Sequence, residues 1–229
     1  MMWIAGPICG ATLQPYVAIC SDLCRSRYGR RRPFIVSGAL LTILFLLGFA
    51  WAENIGASVA EKIDFMPESS RRNLVALVAV FFAFAMNAAI QPLQFGLRAL
   101  VVDACSGAQQ DESSAWVARI TTTSNILGYL AAAIDLRRWA PWSGYSQFQL
   151  LCIMSSISLA VTVLVTCLAG QEDTLSAMAP SMYGSQSVLH KLGLLYGAFP
   201  RLPKQLKRVC FVQFFAWMGW YPFQNYITL

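Results

Sequence analysis

Four polar side chains within one apolar segment are the residues best placed to do chemistry in this sequence. They are Asn87, Gln91, Gln94 and Arg98. On a helix, their spacing of three or four residues places them on one face. Such a stripe offers many neutral donors and acceptors, which suits a sugar, and Arg98 adds a guanidinium that can bond hydroxyl groups or a carboxylate. Asn125, on a later apolar run, is a further candidate for the same site.

The bland alternatives to a binding site remain open for this stripe. Amides on membrane helices also hydrogen-bond neighbouring helices, and each such contact is worth about 0.6 to 2 kcal/mol. Arg98 can equally be an anchor that extends its charged end to the membrane surface. The sequence pattern does not separate these interpretations from sugar binding.

The elements that must carry these side chains are long segments without charge. Charged residues make up only 12% of the chain and hydrophobic residues 57%, whereas soluble domains carry about 25% charged residues. A membrane-spanning helix needs about 20 apolar residues, and backbone groups in lipid must be paired within the helix. The pattern therefore predicts an all-α membrane protein with six transmembrane helices. The uncharged runs are 1–21, 33–52, 73–97, 120–134 (extending to Ser113 if Arg119 is tolerated), 139–171 and 209–229.

The basic residues cluster between these runs in a way that predicts orientation. With inside loops at 21–32, 98–115 and 172–208 and outside loops at 53–72 and 135–146, eleven basic residues lie inside and five outside. The positive-inside rule favours this arrangement. We therefore expect a multi-pass protein of the plasma or vacuolar membrane, with 21–32 on the cytoplasmic side.

The most specific motif lies in the first of these loops. Asp22 is followed by Gly29 and by the consecutive arginines Arg30, Arg31 and Arg32, and then by a proline. Glycine permits a turn conformation that other residues rarely adopt, and proline fits the first turn of a helix. A positive-inside anchor alone would explain the arginines but not the Asp-to-Gly-Arg-Arg spacing.

That spacing resembles the loop motif of the major facilitator superfamily. Its longer form, from Gln14-Pro15 to Gly-Arg-Arg-Arg-Pro-Phe, looks like the sucrose/α-glucoside carriers of the glycoside–pentoside–hexuronide cation symporter group. Residues 87–103, 115–129 and 212–223 are similar to the fourth, fifth and seventh helices of that family, with Ser124 in place of a glycine in the fifth. The fourth helix looks closest to the fungal members.

The resemblance implies a partial major facilitator fold that runs from helix two to helix seven. The expected domains are 1–169 (helices two to six), 170–208 (a cytoplasmic central loop) and 209–229 (the start of helix seven). The implied function is alternating-access transport of sucrose or a related α-glucoside, coupled to a cation (a proton) in the complete protein, with the sugar, the proton and the lipid bilayer as partners. A chain limited to these helices is expected to be inactive by itself.

The resemblance also assigns roles to single residues. It implies that Arg98 contributes to substrate recognition and that Asp103 pairs with Arg30, Arg31 or Arg32 to lock the outward-facing state. The alternative for Asp103 is a solvated loop carboxylate, since surface ion pairs are often worth under about 1 kcal/mol. Plant members carry an Asp tied to proton coupling where this chain has Asn87, so the coupling acid lies elsewhere or the protein is a uniporter.

Other classes of function find little support in the sequence. We expect no enzyme, because a nucleophile elbow, a P-loop and a dinucleotide fingerprint are all missing. We expect no metal or other cofactor, because the seven cysteines form no ligand pattern. The basic balance fits membrane topology better than nucleic acid. The remaining alternatives are a major facilitator carrier for another solute, or a truncated chain that acts only as a partner or has no function.

Overall fold

The computed structural model describes residues 5–24, 26, 29–62, 67–139, 144–169, 193, 197 and 202–226. The chain divides into two compact units, residues 1–182 and 183–229. The regular structure of the described residues is helical. The helices are α1 (Ala5–Leu23), α2 (Arg32–Ala50), α3 (Ala52–Glu61), α4 (Glu68–Ala104), α5 (Gln110–Ala133), α6 (Leu136–Trp139), α7 (Gln147–Ala169) and α8 (Lys204–Tyr226), with a 3-10 turn at Gly107–Gln109.

Helix boundaries follow local chain chemistry. Gly29 lies in the connection between α1 and α2 and has φ of +105°, a left-handed conformation that favours glycine. Pro33 then occupies the first turn of α2, where its missing N–H costs nothing. Pro67 precedes α4 with an extended backbone, and Cys105 ends that helix in the same conformation.

Helix α4 is the axis of the first unit, and close approach of α2 sets the packing against it. A Cβ atom at Gly38 would lie only 2.7 Å from the backbone nitrogen of Leu93. Helix α3 continues this approach, because Gly56 lies directly over Val75. Since the pairs run in opposite order along the two segments, α2 and α3 are antiparallel to α4.

A small apolar core joins α2, α4 and α7. Ile35, Ala39, Leu93 and Val163 are buried together. Gln149, at the start of α7, donates to the carbonyl of Ala50 at the end of α2. Helix α7 is therefore antiparallel to α2 and runs in the same direction as α4.

Within the part of the chain that the structure describes, three helices are long and apolar enough to cross a membrane. They are Arg32–Ala50, Ser70–Ala104 and Gln147–Ala169, with mean hydropathy of 2.2 to 2.3. No more than 22% of each apolar window is buried within the protein, so large apolar surfaces face outward. Soluble proteins rarely expose such surfaces, and the helices therefore indicate an integral membrane protein.

The remaining predicted spans also coincide with helices, namely α1, α5 and α8, but these do not reach the same hydropathy. Six spans therefore stay a prediction. The prediction of a loop at 53–72 is largely wrong, because α3 and the first turns of α4 occupy most of this segment. Helix α8 begins at Lys204, and most of the predicted central loop 170–208 lies outside the described residues.

Candidate functional site

Arg31 is the centre of the basic loop and is buried. Its Nε lies 3.0 Å from Asp103 Oδ2, and its Nη1 lies 2.8 Å from Asp22 Oδ1. The same Nη1 donates to Ser21 Oγ at 2.9 Å. The guanidinium also lies over the ring of Phe95, 5.5 Å from its centroid, where a cation is attracted by the ring. One side chain therefore joins the end of α1, the start of α2 and the end of α4.

The neighbouring residues complete this cluster. Arg30 Nη2 lies 3.2 Å from Asp103 Oδ2, so two arginines share one carboxylate. The ion pair predicted between Asp103 and the basic loop is present in the structure. Arg32 is the first residue of α2 and is half-buried. Whether this cluster gates a conformational change stays a prediction.

The first two residues of the predicted polar stripe, Asn87 and Gln91, pack against α1. Gln91 is buried, its Oε1 accepts from Gln14 Nε2 at 2.8 Å, and its own Nε2 donates to the Asn87 carbonyl at 3.2 Å. Asn87 Nδ2 donates to the Ala83 carbonyl of its own helix. Both amides face glycines of α1, since a Cβ at Gly6 would lie 3.5 Å from Asn87 Oδ1. This geometry favours helix-to-helix hydrogen bonding for Gln91.

The last two residues of the stripe, Gln94 and Arg98, lie beside α5. Gln94 and Arg98 are exposed and line a groove of about 470 Å³ between α4 and α5. Such a volume falls within the range of about 300 to 1,000 Å³ that is usual for small-molecule sites. The remaining lining residues are Leu97, Val101, Val102, Ser114, Val117 and Thr121. The stripe is therefore continuous on α4 but has two neighbours, α1 and α5.

Two hydroxyl groups of this groove were not predicted from the sequence. Ser114 Oγ donates to the Gln110 carbonyl at 2.8 Å, and Thr121 Oγ1 donates to the Val117 carbonyl at 2.7 Å. With their protons used in this way, both oxygens can accept from a ligand. A polar pattern at intervals of seven residues along α5 is the signal that could have found them. Asn125 lies one turn beyond Thr121, exposed and outside the lining of the groove.

The polar lining of the groove combines neutral hydrogen-bonding groups with the guanidinium of Arg98. Arg98 has only donors, whereas the Gln94 amide has both donors and an acceptor. The two hydroxyl oxygens add acceptors on the facing helix. Among the residues that the structure describes, no cluster of histidine, cysteine or carboxylate could hold a metal ion.

The amino-acid sequence is similar to those of characterised sugar carriers. The chain is 33% identical to the general alpha-glucoside permease of Schizosaccharomyces pombe over 228 residues, which is all of this chain and 40% of the permease. It is 27% identical to the sucrose transport protein SUT1 of Oryza sativa subsp. japonica over 247 aligned positions, covering 99% of this chain and 45% of that protein. The chain is a homologue of sucrose and α-glucoside carriers.

A third relative extends the same pattern. The sucrose transport protein SUC4 of Arabidopsis thaliana is 25% identical over 237 aligned positions, which cover 97% of this chain and 45% of SUC4. The chain thus spans about 40 to 45% of the length of the curated relatives it matches. No family model matches it. The resemblance read from the basic loop and the fourth helix is confirmed by these relatives.

Proposed function

We propose that this chain contributes to the transport of sucrose or a related α-glucoside across a membrane by alternating access. The observation that carries the proposal is the α4–α5 groove, in which Arg98 and Gln94 face Ser114 and Thr121. Similarity to sugar carriers along the entire chain supports the same substrate class.

The groove residues suit the hydroxyl groups of a sugar, each of which both donates and accepts. Arg98 donates to sugar oxygens, and the oxygens of Ser114 and Thr121 accept from sugar hydroxyls because their own protons are held by backbone carbonyls. Gln94 does both. Val117 and Leu97 supply apolar contact for the faces of a sugar ring.

The cluster at Arg31 supplies the conformational part of the proposal. Arg30 and Arg31 hold Asp103 at the end of α4, while Asp22 holds Arg31 from α1. In carriers of this kind, two halves rock about a central site. We propose that the cluster fixes one of the two states and that its ion pairs separate in the other.

The proposal does not assign proton coupling to Asn87. An amide at Asn87 does not exchange a proton in the working pH range, and its Nδ2 is bonded within its own helix. Proton symport would therefore need an acidic group elsewhere, whereas uniport would need none. Sugar uptake with and without a proton gradient separates the two.

The test replaces the matching segment of the Schizosaccharomyces pombe permease with this chain, in yeast cells that lack α-glucoside uptake. We expect the chimera to take up labelled sucrose or maltose, and the chain expressed by itself to show none. Competition by unlabelled disaccharides, but not by amino acids or nucleosides, identifies the solute class. Uptake that disaccharides fail to compete would contradict the proposal.

Single variants make this test specific to the groove. Arg98→Ala is expected to abolish uptake with normal membrane insertion, because each charge-assisted hydrogen bond lost costs about 1.5 to 3 kcal/mol, or roughly 10- to 150-fold in affinity. Arg138→Ala is the matched control, since Arg138 is exposed and its ion pair is a local one with Asp135. If the chimera does not insert, labelled-sugar binding to the purified chain replaces uptake. Equal binding by the chain and its Arg98→Ala variant would then refute the role of the groove.

A further inference from the structure

A second cavity lies at the opposite end of the helices from the Arg31 cluster. It measures about 600 Å³ and is formed where α2 turns into α3, beside the start of α4 and the start of α7. Its polar lining consists of Glu53, Arg71 and Arg72, and its apolar lining includes Phe49 and Phe148. None of these residues belongs to the α4–α5 groove.

The directions of the helices order this lining along the axis of the bundle. Phe49 lies near the end of α2, and Glu53 follows it in α3. Helix α4 runs in the opposite direction, from Arg71 and Arg72 toward Val75. Helix α7 starts at Gln147, carries Phe148 in its first turn and runs in the same direction as α4. The charged groups therefore lie at the outer level of the cavity and the apolar groups at the inner level.

The aromatic residues at this end place the same level at a membrane surface. Phe49 and Phe148 meet edge to face at 5.7 Å between ring centroids, and so do Trp51 and Tyr145. Tryptophan and tyrosine, such as Trp51 and Tyr145, concentrate at both membrane–water interfaces. The apolar runs of α2 and α7 end and begin here, respectively, which locates the cavity at the boundary between headgroups and hydrocarbon.

The charges have a pattern that matches one class of molecule. Two arginines lie in the early turns of α4, where the positive end of the helix dipole already favours an anion. Glu53 lies in the first turn of α3 on the other side of the cavity. Among the side chains that the structure describes, these three form no ion pair with one another. A phosphate paired with an ammonium group would complement all three.

We propose that this cavity binds a zwitterionic phospholipid. The phosphodiester lies at Arg71 and Arg72, the ammonium group lies at Glu53, and the start of one acyl chain lies against Phe49 and Phe148. Guanidinium groups bind phosphate oxygens through strong charge-assisted hydrogen bonds. The site is distinct from sugar recognition and does not depend on it.

The test measures lipids retained by the purified chain in detergent, using native mass spectrometry. We expect phosphatidylethanolamine to be retained better than phosphatidylglycerol, which lacks the ammonium group, and both better than diacylglycerol, which lacks the phosphate. The double variant Arg71→Gln/Arg72→Gln should lower retention of both phospholipids at least about tenfold. Glu53→Gln should remove the preference for phosphatidylethanolamine over phosphatidylglycerol.

The matched control is Arg137→Gln/Arg138→Gln, which removes another adjacent pair of exposed arginines outside the cavity. It should leave retention unchanged. Equal losses in the two double variants, retention of diacylglycerol as strong as that of phosphatidylethanolamine, or displacement of the lipid by sucrose would overturn the proposal.

A measurement on the unaltered chain covers the case in which a variant does not fold. Phosphatidylethanolamine with a photoreactive diazirine near the start of its acyl chain is added to the chain in nanodiscs and irradiated. Adducts are expected in the peptides that contain Phe49 and Phe148. Labelling of those peptides no stronger than that of exposed apolar positions such as Leu164 and Leu168 at the far end of α7 would refute the site.

Discussion

Helix α4 has two faces that differ in how closely they are packed and in how exposed their side chains are. The face toward α1 and α2 is closely packed, with Leu93 and Gln91 buried and the Arg31 cluster at its end. The face toward α5 is open, and the side chains of α5 itself are mostly exposed. Polar residues on one helix stripe can therefore have two roles, because the neighbouring helix decides whether a side chain is a structural contact or an available binding group.

Two arginines make the contrast concrete. Arg31 is buried between two carboxylates, a hydroxyl and an aromatic ring. Arg98 is exposed and lines a groove. The same side-chain chemistry is therefore committed to the fold at one position and open to a ligand at the other.

Removing the buried cation of Arg31 should lower stability more than any other single change considered. Arg31→Gln removes the cation that Asp22 and Asp103 share, although Asp103 keeps Arg30, and breaking a buried ion pair costs about 3 to 5 kcal/mol. Because both carboxylates are partly exposed, we expect a smaller loss of about 2 to 3 kcal/mol in the free energy of unfolding. Denaturant titration of the purified chain in mixed micelles, followed by circular dichroism, measures it.

The control for that variant is Arg138→Gln, which breaks an ion pair with Asp135 between two largely exposed side chains. Exposed pairs are worth about 0.2 to 1 kcal/mol, so the shift should stay near or below 0.5 kcal/mol. If the two variants lose the same amount, Arg31 does not hold the helices together as the geometry implies.

The next effect concerns the close approach of backbones. In Gly38→Ala the new methyl group would meet the backbone of Leu93, and overpacking of this kind costs typically about 1 to 3 kcal/mol. Gly128→Ala on α5 is the matched change, since nothing lies within 4 Å of its added Cβ. There alanine should leave stability unchanged or raise it by up to about 1 kcal/mol through helix propensity.

The same unfolding titration measures both glycine variants. A loss at Gly128 equal to that at Gly38 would mean that α5 is packed as closely as α2. A tolerated Gly38→Ala would mean that the α2–α4 contact is looser than the structure has it.

Sequence reasoning succeeded where a pattern depends on one segment and its charge. Uncharged runs identified the long helices, and the charge pairing of Asp103 with the basic loop followed from the motif and its resemblance. Helix α3 was missed because Glu53, Glu61 and Lys62 made its segment resemble a polar connection, whereas its small residues Gly56 and Ala60 pack against α4.

The divided stripe could not be predicted, because periodicity assigns residues to a face of their own helix without naming the neighbour that covers it. Helix α1 covers Gln91 through Gln14, and α5 approaches Arg98 with hydroxyl groups. Serine and threonine in helices usually bond their own backbone, so residue type alone did not mark Ser114 and Thr121 as lining a groove.

The smallest expected effect tests that division directly. A double-mutant cycle of Gln14→Leu and Gln91→Leu should show a coupling energy of about 1 kcal/mol, because interhelical hydrogen bonds in membrane proteins average about 0.6 kcal/mol and reach about 1.7. The matched cycle of Gln14→Leu with Gln94→Leu should be additive within about 0.3 to 0.5 kcal/mol, since Gln94 lies on the α5 side. Coupling of Gln14 to Gln94 as strong as its coupling to Gln91 would mean that the stripe is one continuous network, and the two faces of α4 would then not differ in kind.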